Sequence, residues 1–211
     1  MYSSTWIVTA AHCLVDMTPD KITVTAGTNV LGTGGARVNA KRLVVKTQYD
    51  RQTQDNDIGL IELFTPLPIG ERISTISFLA PEAETQDLPT DAPLIVLGWG
   101  ATQQGGSVVR DLRYVDVPLV DRAVCNRPLS YDGRITDNMI CAGVAAGGVD
   151  SCQGDSGGPL SIATSTAGVK LAGIVSWGDG CARPNKYGVY TRAANFASWV
   201  AACVAKPDDC K

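Results

Sequence analysis

The chain contains a single histidine, His12, within Val8-Thr9-Ala10-Ala11-His12-Cys13. A lone histidine more often serves structure than chemistry. Imidazole is nevertheless the side chain that most readily takes up and returns a proton near neutral pH, so any general base of this type must be His12. Ser156 stands in the run Asp150-Ser151-Cys152-Gln153-Gly154-Asp155-Ser156-Gly157-Gly158-Pro159. Glycines on both sides of a serine let the backbone turn sharply and bring amide N–H groups close to a substrate carbonyl. Taken alone, the run also admits the lesser reading of a glycine-rich hairpin loop. Asp57 directly precedes an apolar stretch in Asp55-Asn56-Asp57-Ile58-Gly59-Leu60-Ile61. Such an aspartate is either a solvated turn residue or a buried carboxylate that orients an imidazole.

Thr9-Ala10-Ala11-His12-Cys13, Asp57-Ile58-Gly59-Leu60-Ile61 and Gly154-Asp155-Ser156-Gly157-Gly158-Pro159 follow in the order His, Asp, Ser. Together they resemble the chymotrypsin/trypsin family of serine peptidases, N-terminally truncated here. Leu97-Gly98-Trp99-Gly100, Ser176-Trp177-Gly178 and Gly188-Val189-Tyr190-Thr191 agree with that pattern, so the resemblance extends over residues 3–204. It implies a serine endopeptidase acting through an acyl-enzyme, with Ser156 as nucleophile, His12 as general base and then acid, and Asp57 holding the useful tautomer of His12. The backbone N–H groups of Gly154 and Ser156 would form the oxyanion hole. Ser176, Trp177 and Gly178 would pair with the substrate backbone as an added strand. Asp150, six residues before Ser156, matches the base of the primary pocket, with Gly178 and Gly188 as its open walls. A carboxylate there implies cleavage after Arg or Lys. The expected partners are protein or peptide substrates carrying those residues, together with protein protease inhibitors. No organic cofactor and no metal is implied, and residues 21–49, where calcium-binding relatives carry carboxylates, contain no Asp or Glu.

The resemblance also implies disulfides Cys125–Cys141 and Cys152–Cys181, with Cys203 and Cys210 closing a terminal loop. Cys13 is left over, its family partner lying on a strand before the histidine. In the family, proteolysis frees an ammonium group that inserts beside the aspartate preceding the catalytic serine, here Asp155. Met1 lies only eleven residues before His12, so the signal and activation segments are expected to be absent from this chain. The chain taken literally is therefore expected to be zymogen-like, with Asp155 lacking its ammonium partner and Cys13 unpaired. The alternative function is an inactive homologue acting as a binding protein.

The elements that must position these residues read as all-β. β-branched runs at 22–25, 42–46, 58–63, 94–97, 112–120, 169–177 and 188–191 are separated by turn chemistry such as Gly32-Thr33-Gly34-Gly35 and Gln104-Gly105-Gly106. Phe196, Trp199, Val200, Cys203 and Val204 fall at helical spacing, with Asn195 as the expected N-cap. The family fold implied is two six-stranded antiparallel β-barrels, the first incomplete, with a C-terminal helix. The expected division is an N-terminal barrel at 1–79, an inter-barrel linker at 80–93 rich in proline and acid, a second barrel at 94–193 and the helix at 194–205. At 211 residues, with 45% hydrophobic and 18% charged content, the chain can bury such cores. A net charge of −3 with scattered basic residues implies neither nucleic-acid nor membrane partners. Seven cysteines without zinc-site spacing point to an oxidising, extracellular compartment, and the protein is expected to be secreted.

Overall fold

A computed structural model describes residues 1–164 and 168–210. Strands β1 (Trp6–Thr9), β2 (Thr23–Ala26), β3 (Ala36–Val45) and β4 (Gly59–Leu63) form an open antiparallel sheet in the order β1-β4-β3-β2, which is half a barrel. The remaining strands are β5 (Ser77–Phe78), β6 (Pro93–Gly98), β7 (Arg113–Val120), β8 (Met139–Ala142), β9 (Pro159–Thr164), β10 (Gly168–Trp177) and β11 (Gly188–Arg192). The order β11-β8-β7-β6-β9-β10 closes through pairing of β10 with β11 into a six-stranded barrel, and β5 adds to β10 in parallel. Register shifts in β10 at Leu171/Gly173 and Val175/Trp177 bend that long strand around the barrel corner. Among the described residues no helix is long and apolar enough to cross a membrane.

The all-β expectation therefore holds, with the first barrel incomplete. Four strands, β1, β5, β8 and β9, are absent from the sequence reading; β1 and β8 span four residues each and β5 two. The apolar run around β4 explains how the halves join. Side chains alternate along a strand, so Ile58 and Leu60 face one side and Ile61 and Leu63 the other. Ile58 and Leu60 pack with Ile174 of the closed barrel and with Phe196 and Val200, while Ile61 and Leu63 pack with Leu14 and Ala40 inside the half-barrel. A strand covered on both faces needs a continuous apolar sequence, and its start, next to Asp57, is thereby pinned at the junction of the two halves.

The C-terminal helix (Ala197–Ala205) buries Val200 and Cys203 against this junction. The expected N-cap is corrected. Asn195 lies in a 3-10 turn, Ala193–Phe196, and the residue flanking the C-terminal helix is Phe196, without a side-chain cap. The Asn195 amide instead donates to the Asp137 carbonyl at 3.0 Å and to Asn138 Oδ1 at 3.1 Å. In the stretch 80–93, a 3-10 turn at Pro81–Ala83 is followed by a one-turn helix, Glu84–Asp87. Buried Glu84 accepts from Arg192 Nε at 2.9 and 3.0 Å, fastening this segment to the end of β11.

Candidate active site

His12 sits in a 3-10 turn, Ala11–Cys13, directly after β1. Ala10 and Ala11 on its approach are fully buried, which leaves room only for small side chains at those places. Asp57 is 1% exposed. Its Oδ1 accepts the His12 backbone N–H at 2.9 Å, and its Oδ2 lies 2.8 Å from His12 Nδ1. Ser176 Oγ donates to the same Oδ2 at 2.5 Å, and Thr191 Oγ1 donates to the Asp57 carbonyl at 2.6 Å. A carboxylate can be held charged in such burial only when its lone pairs are filled in this way. So fixed, it favours the tautomer with the proton on Nδ1, leaving Nε2 able to accept one. The hydrogen bond to Asp57 raises the His12 pKa above that of a free histidine, against a downward pull from burial of the ring.

Ser156 is exposed on a turn between β8 and β9. Gly157 has φ +77°, and a Cβ there would stand 2.1 Å from Thr9 Oγ1 and 3.4 Å from Cys13 Sγ. Only glycine permits this approach, which seats the serine-bearing turn against the segment that carries His12. The Gly157 N–H donates to the Val175 carbonyl and the Val175 N–H to the Gly158 carbonyl, both at 2.9 Å, tying the turn to β10 just ahead of Ser176.

A cleft of about 120 Å³ adjoins Ser156 and is lined by Asp150, Ser176, Trp177, Gly178 and Gly188, among others. Asp150 Oδ1 accepts the Ser151 N–H at 2.8 Å and Oδ2 the Ala182 N–H at 2.9 Å. Burial pushes its pKa up to about 6, and those two N–H groups oppose the rise. A Cβ on Gly188 would stand 2.6 Å from Asp150 Oδ1, so a side chain there would occupy the space beside the carboxylate. The disulfide Cys152–Cys181 frames one side of the cleft, and Cys125–Cys141 and Cys203–Cys210 are also formed. Cys13 is free.

The sequence profile of the family described as Trypsin matches residues 1–200. The chain belongs to the trypsin family. It is 41% identical over 205 residues to serine protease 1 of Homo sapiens, covering 95% of this chain and 76% of that protein. It is 40% identical over 196 residues to trypsin eta of Drosophila melanogaster, covering 92% and 71%. Identity to transmembrane protease serine 11E of Mus musculus is 40% over 206 residues, covering 95% of this chain but 47% of that protein. This trypsin-family chain thus spans about half the length of one such relative and about three quarters of the other two.

In this family member the Asp155 carboxylate is held by backbone donors. Its Oδ1 accepts the Gly100 N–H at 2.8 Å and its Oδ2 the Cys152 N–H at 3.0 Å, so both oxygens are satisfied locally. Backbone donors of this kind can stabilise a partly buried carboxylate without a cation. Asp155, Asp150 and Gly100 also border a second cavity of about 290 Å³, which shares Asp150, Cys152 and Cys181 with the cleft at Ser156. Two contacts of Asp57 were not assigned from the sequence. The sequence presents Ser176 only as a backbone partner for substrate, and Thr191 only as the end of the Gly188-Val189-Tyr190-Thr191 run.

Proposed function

We propose that the protein is a serine endopeptidase that hydrolyses peptide bonds after Arg or Lys through an acyl-enzyme. The observation carrying this reading is the buried Asp57 bound at both oxygens to His12, with the Ser156 turn packed against the same segment. His12 Nε2 takes the Ser156 proton as Oγ attacks the scissile carbonyl, and returns it to the leaving amine. Asp57 stabilises the imidazolium that forms between those steps. The Gly154 and Ser156 N–H groups receive the oxyanion, where one lost donor typically costs about 3 kcal/mol. Water then attacks the acyl-enzyme with His12 again as base.

Asp150 supports the choice of a cationic side chain in the cleft, and Gly178 and Gly188 leave its walls open. Proteins or peptides with Arg or Lys are the substrates, and protein protease inhibitors that present the same residues are partners of this site. Asp155 is the activation-linked residue in this reading. In the same reading an ammonium group created by proteolysis enters the cavity beside it, replaces backbone donors and sets the oxyanion turn. Three disulfides support an extracellular location.

Stoichiometric labelling by a serine-directed organophosphate, located at Ser156 by peptide mapping, tests the reading. A folded protein that resists labelling at Ser156, with or without prior proteolytic processing, would favour the binding-protein alternative. A separate expectation concerns calcium. With no carboxylate in residues 21–49, millimolar calcium should leave the melting temperature unchanged. A clear rise that disappears when residues 21–49 are altered would contradict it.

A further inference from the structure

Trp177 ends β10 at the mouth of the cleft that holds Asp150 and Ser156. On one side β9 pairs with β10 only as far as Pro159 opposite Ile174, and the last bonds there join Val175 to Gly157 and Gly158. Among the described residues no strand continues that ladder beside Ser176, Trp177 and Gly178. An extended peptide laid there would complete it. With its reacting carbonyl at Ser156, the preceding residues run along Trp177 and Gly178, alternating in direction and advancing about 3.3 Å each. Counting the residue in the cleft as the first, the third and fourth would lie about 7 and 10 Å further along this edge, beside Trp177.

That ground is cationic. The Arg134 guanidinium lies 4.7 Å from the Trp177 ring centroid, on an exposed side chain, and among the described residues no carboxylate pairs with it. Tyr131 packs edge-on against Trp177 at 4.9 Å, and Lys186 Nζ stands 5.3 Å from the Tyr131 centroid. Nearby Asp179 is already engaged by Arg183 and Lys186, each at 3.2 Å. Stacking on the indole holds the guanidinium in place, and its planar fork suits a carboxylate.

We propose that Arg134 is a specificity-determining residue that selects an acidic side chain at the third or fourth residue on the amino-terminal side of the cleaved bond. The inference rests on the peptidase reading above. The cleft and its approach are then of opposite sign, so the preferred substrate carries an acid a short distance ahead of its Arg or Lys. Because Arg134 is exposed, the effect is modest and weakens with salt.

The test compares kcat/KM for arginyl peptides bearing Glu, Ala or Lys at those two positions, in the parent protein, Arg134→Ala and Arg134→Glu, at low and high salt. Ratios between peptides are taken within each variant, so they do not depend on how much of it is folded. The expected parent preference for Glu over Ala is roughly threefold to fivefold at low salt. It should shrink at high salt, fall to about one in Arg134→Ala and invert toward Lys in Arg134→Glu. A parent that cleaves the Ala peptide without preferring Glu, or a preference that persists in both variants, overturns the proposal while leaving the peptidase reading intact. Failure to cleave any arginyl peptide, with or without prior proteolytic processing, would bring down that reading, and this proposal with it.

Discussion

Asp57→Asn is expected to lower kcat for arginyl-ester hydrolysis by about four orders of magnitude, the size of loss this substitution causes in peptidases with the same catalytic arrangement. Asp57 now accepts from two groups of His12 and from Ser176 Oγ. An amide of the same shape can keep its oxygen on the His12 backbone N–H but then turns an NH₂ group toward Nδ1. Nδ1 must accept, the ring proton moves to Nε2, and the base that should take the Ser156 proton is lost. The acid limb of the remaining activity should also move to lower pH, because the hydrogen bond that raises the His12 pKa is removed. Stopped-flow ester hydrolysis across pH, with circular dichroism as the check on folding, measures both. A folded variant that retains more than a tenth of parental kcat would show that Asp57 does not set the tautomer.

Asp150→Ser is expected to reduce kcat/KM for arginyl substrates by about two to nearly four orders of magnitude, since leaving one member of a buried charge pair unpartnered commonly costs about 3–5 kcal/mol. The parental preference for Arg and Lys over uncharged residues should vanish, and benzamidine should no longer compete. The pH dependence has a definite sign. Burial raises the Asp150 pKa to about 6, so the pocket is charged above that value and neutralises as pH falls through it. Selectivity for Arg over an uncharged residue should therefore decline below pH 6 in the parent and stay flat in Asp150→Ser. Taking the ratio of two substrates cancels the titration of His12, which affects both. A cleavage profile that peaks after Phe, Leu or Ala in the parent protein would remove Asp150 from its assigned role.

Residue types, through the family resemblance that they carry, determined the chemistry proposed for this chain. Only one histidine is present, and glycines flank a serine in a way that few structural turns require. Ile58, Leu60, Ile61 and Leu63 mark a strand, although Glu62 interrupts the apolar run, and only the packing shows that both of its faces are covered. Such signals are local: each follows from covalent geometry, glycine freedom or side-chain alternation within a few residues. The motifs also carried the resemblance that the family match now establishes over residues 1–200.

What holds the site together was decided by the tertiary structure, because it depends on residues distant in sequence. Ser176 and Thr191 reach Asp57 from 119 and 134 positions away, and nothing in their own neighbourhoods distinguishes those hydroxyls from other strand hydroxyls. The short strands β1 and β8 have the same origin, since a four-residue run becomes a strand only when a partner supplies its hydrogen bonds. Asn195 has the residue type of an N-cap, but two acceptors at Asp137 and Asn138 compete for its amide, and the chain enters the C-terminal helix through a 3-10 turn instead. Asp155 finds its donors on Gly100, 55 residues earlier, as well as on Cys152. Arg134 shows nothing in sequence beyond an exposed charge; only the closure of the barrel sets it over Trp177, because long-range packing and electrostatics act through space and leave no periodic trace along the chain.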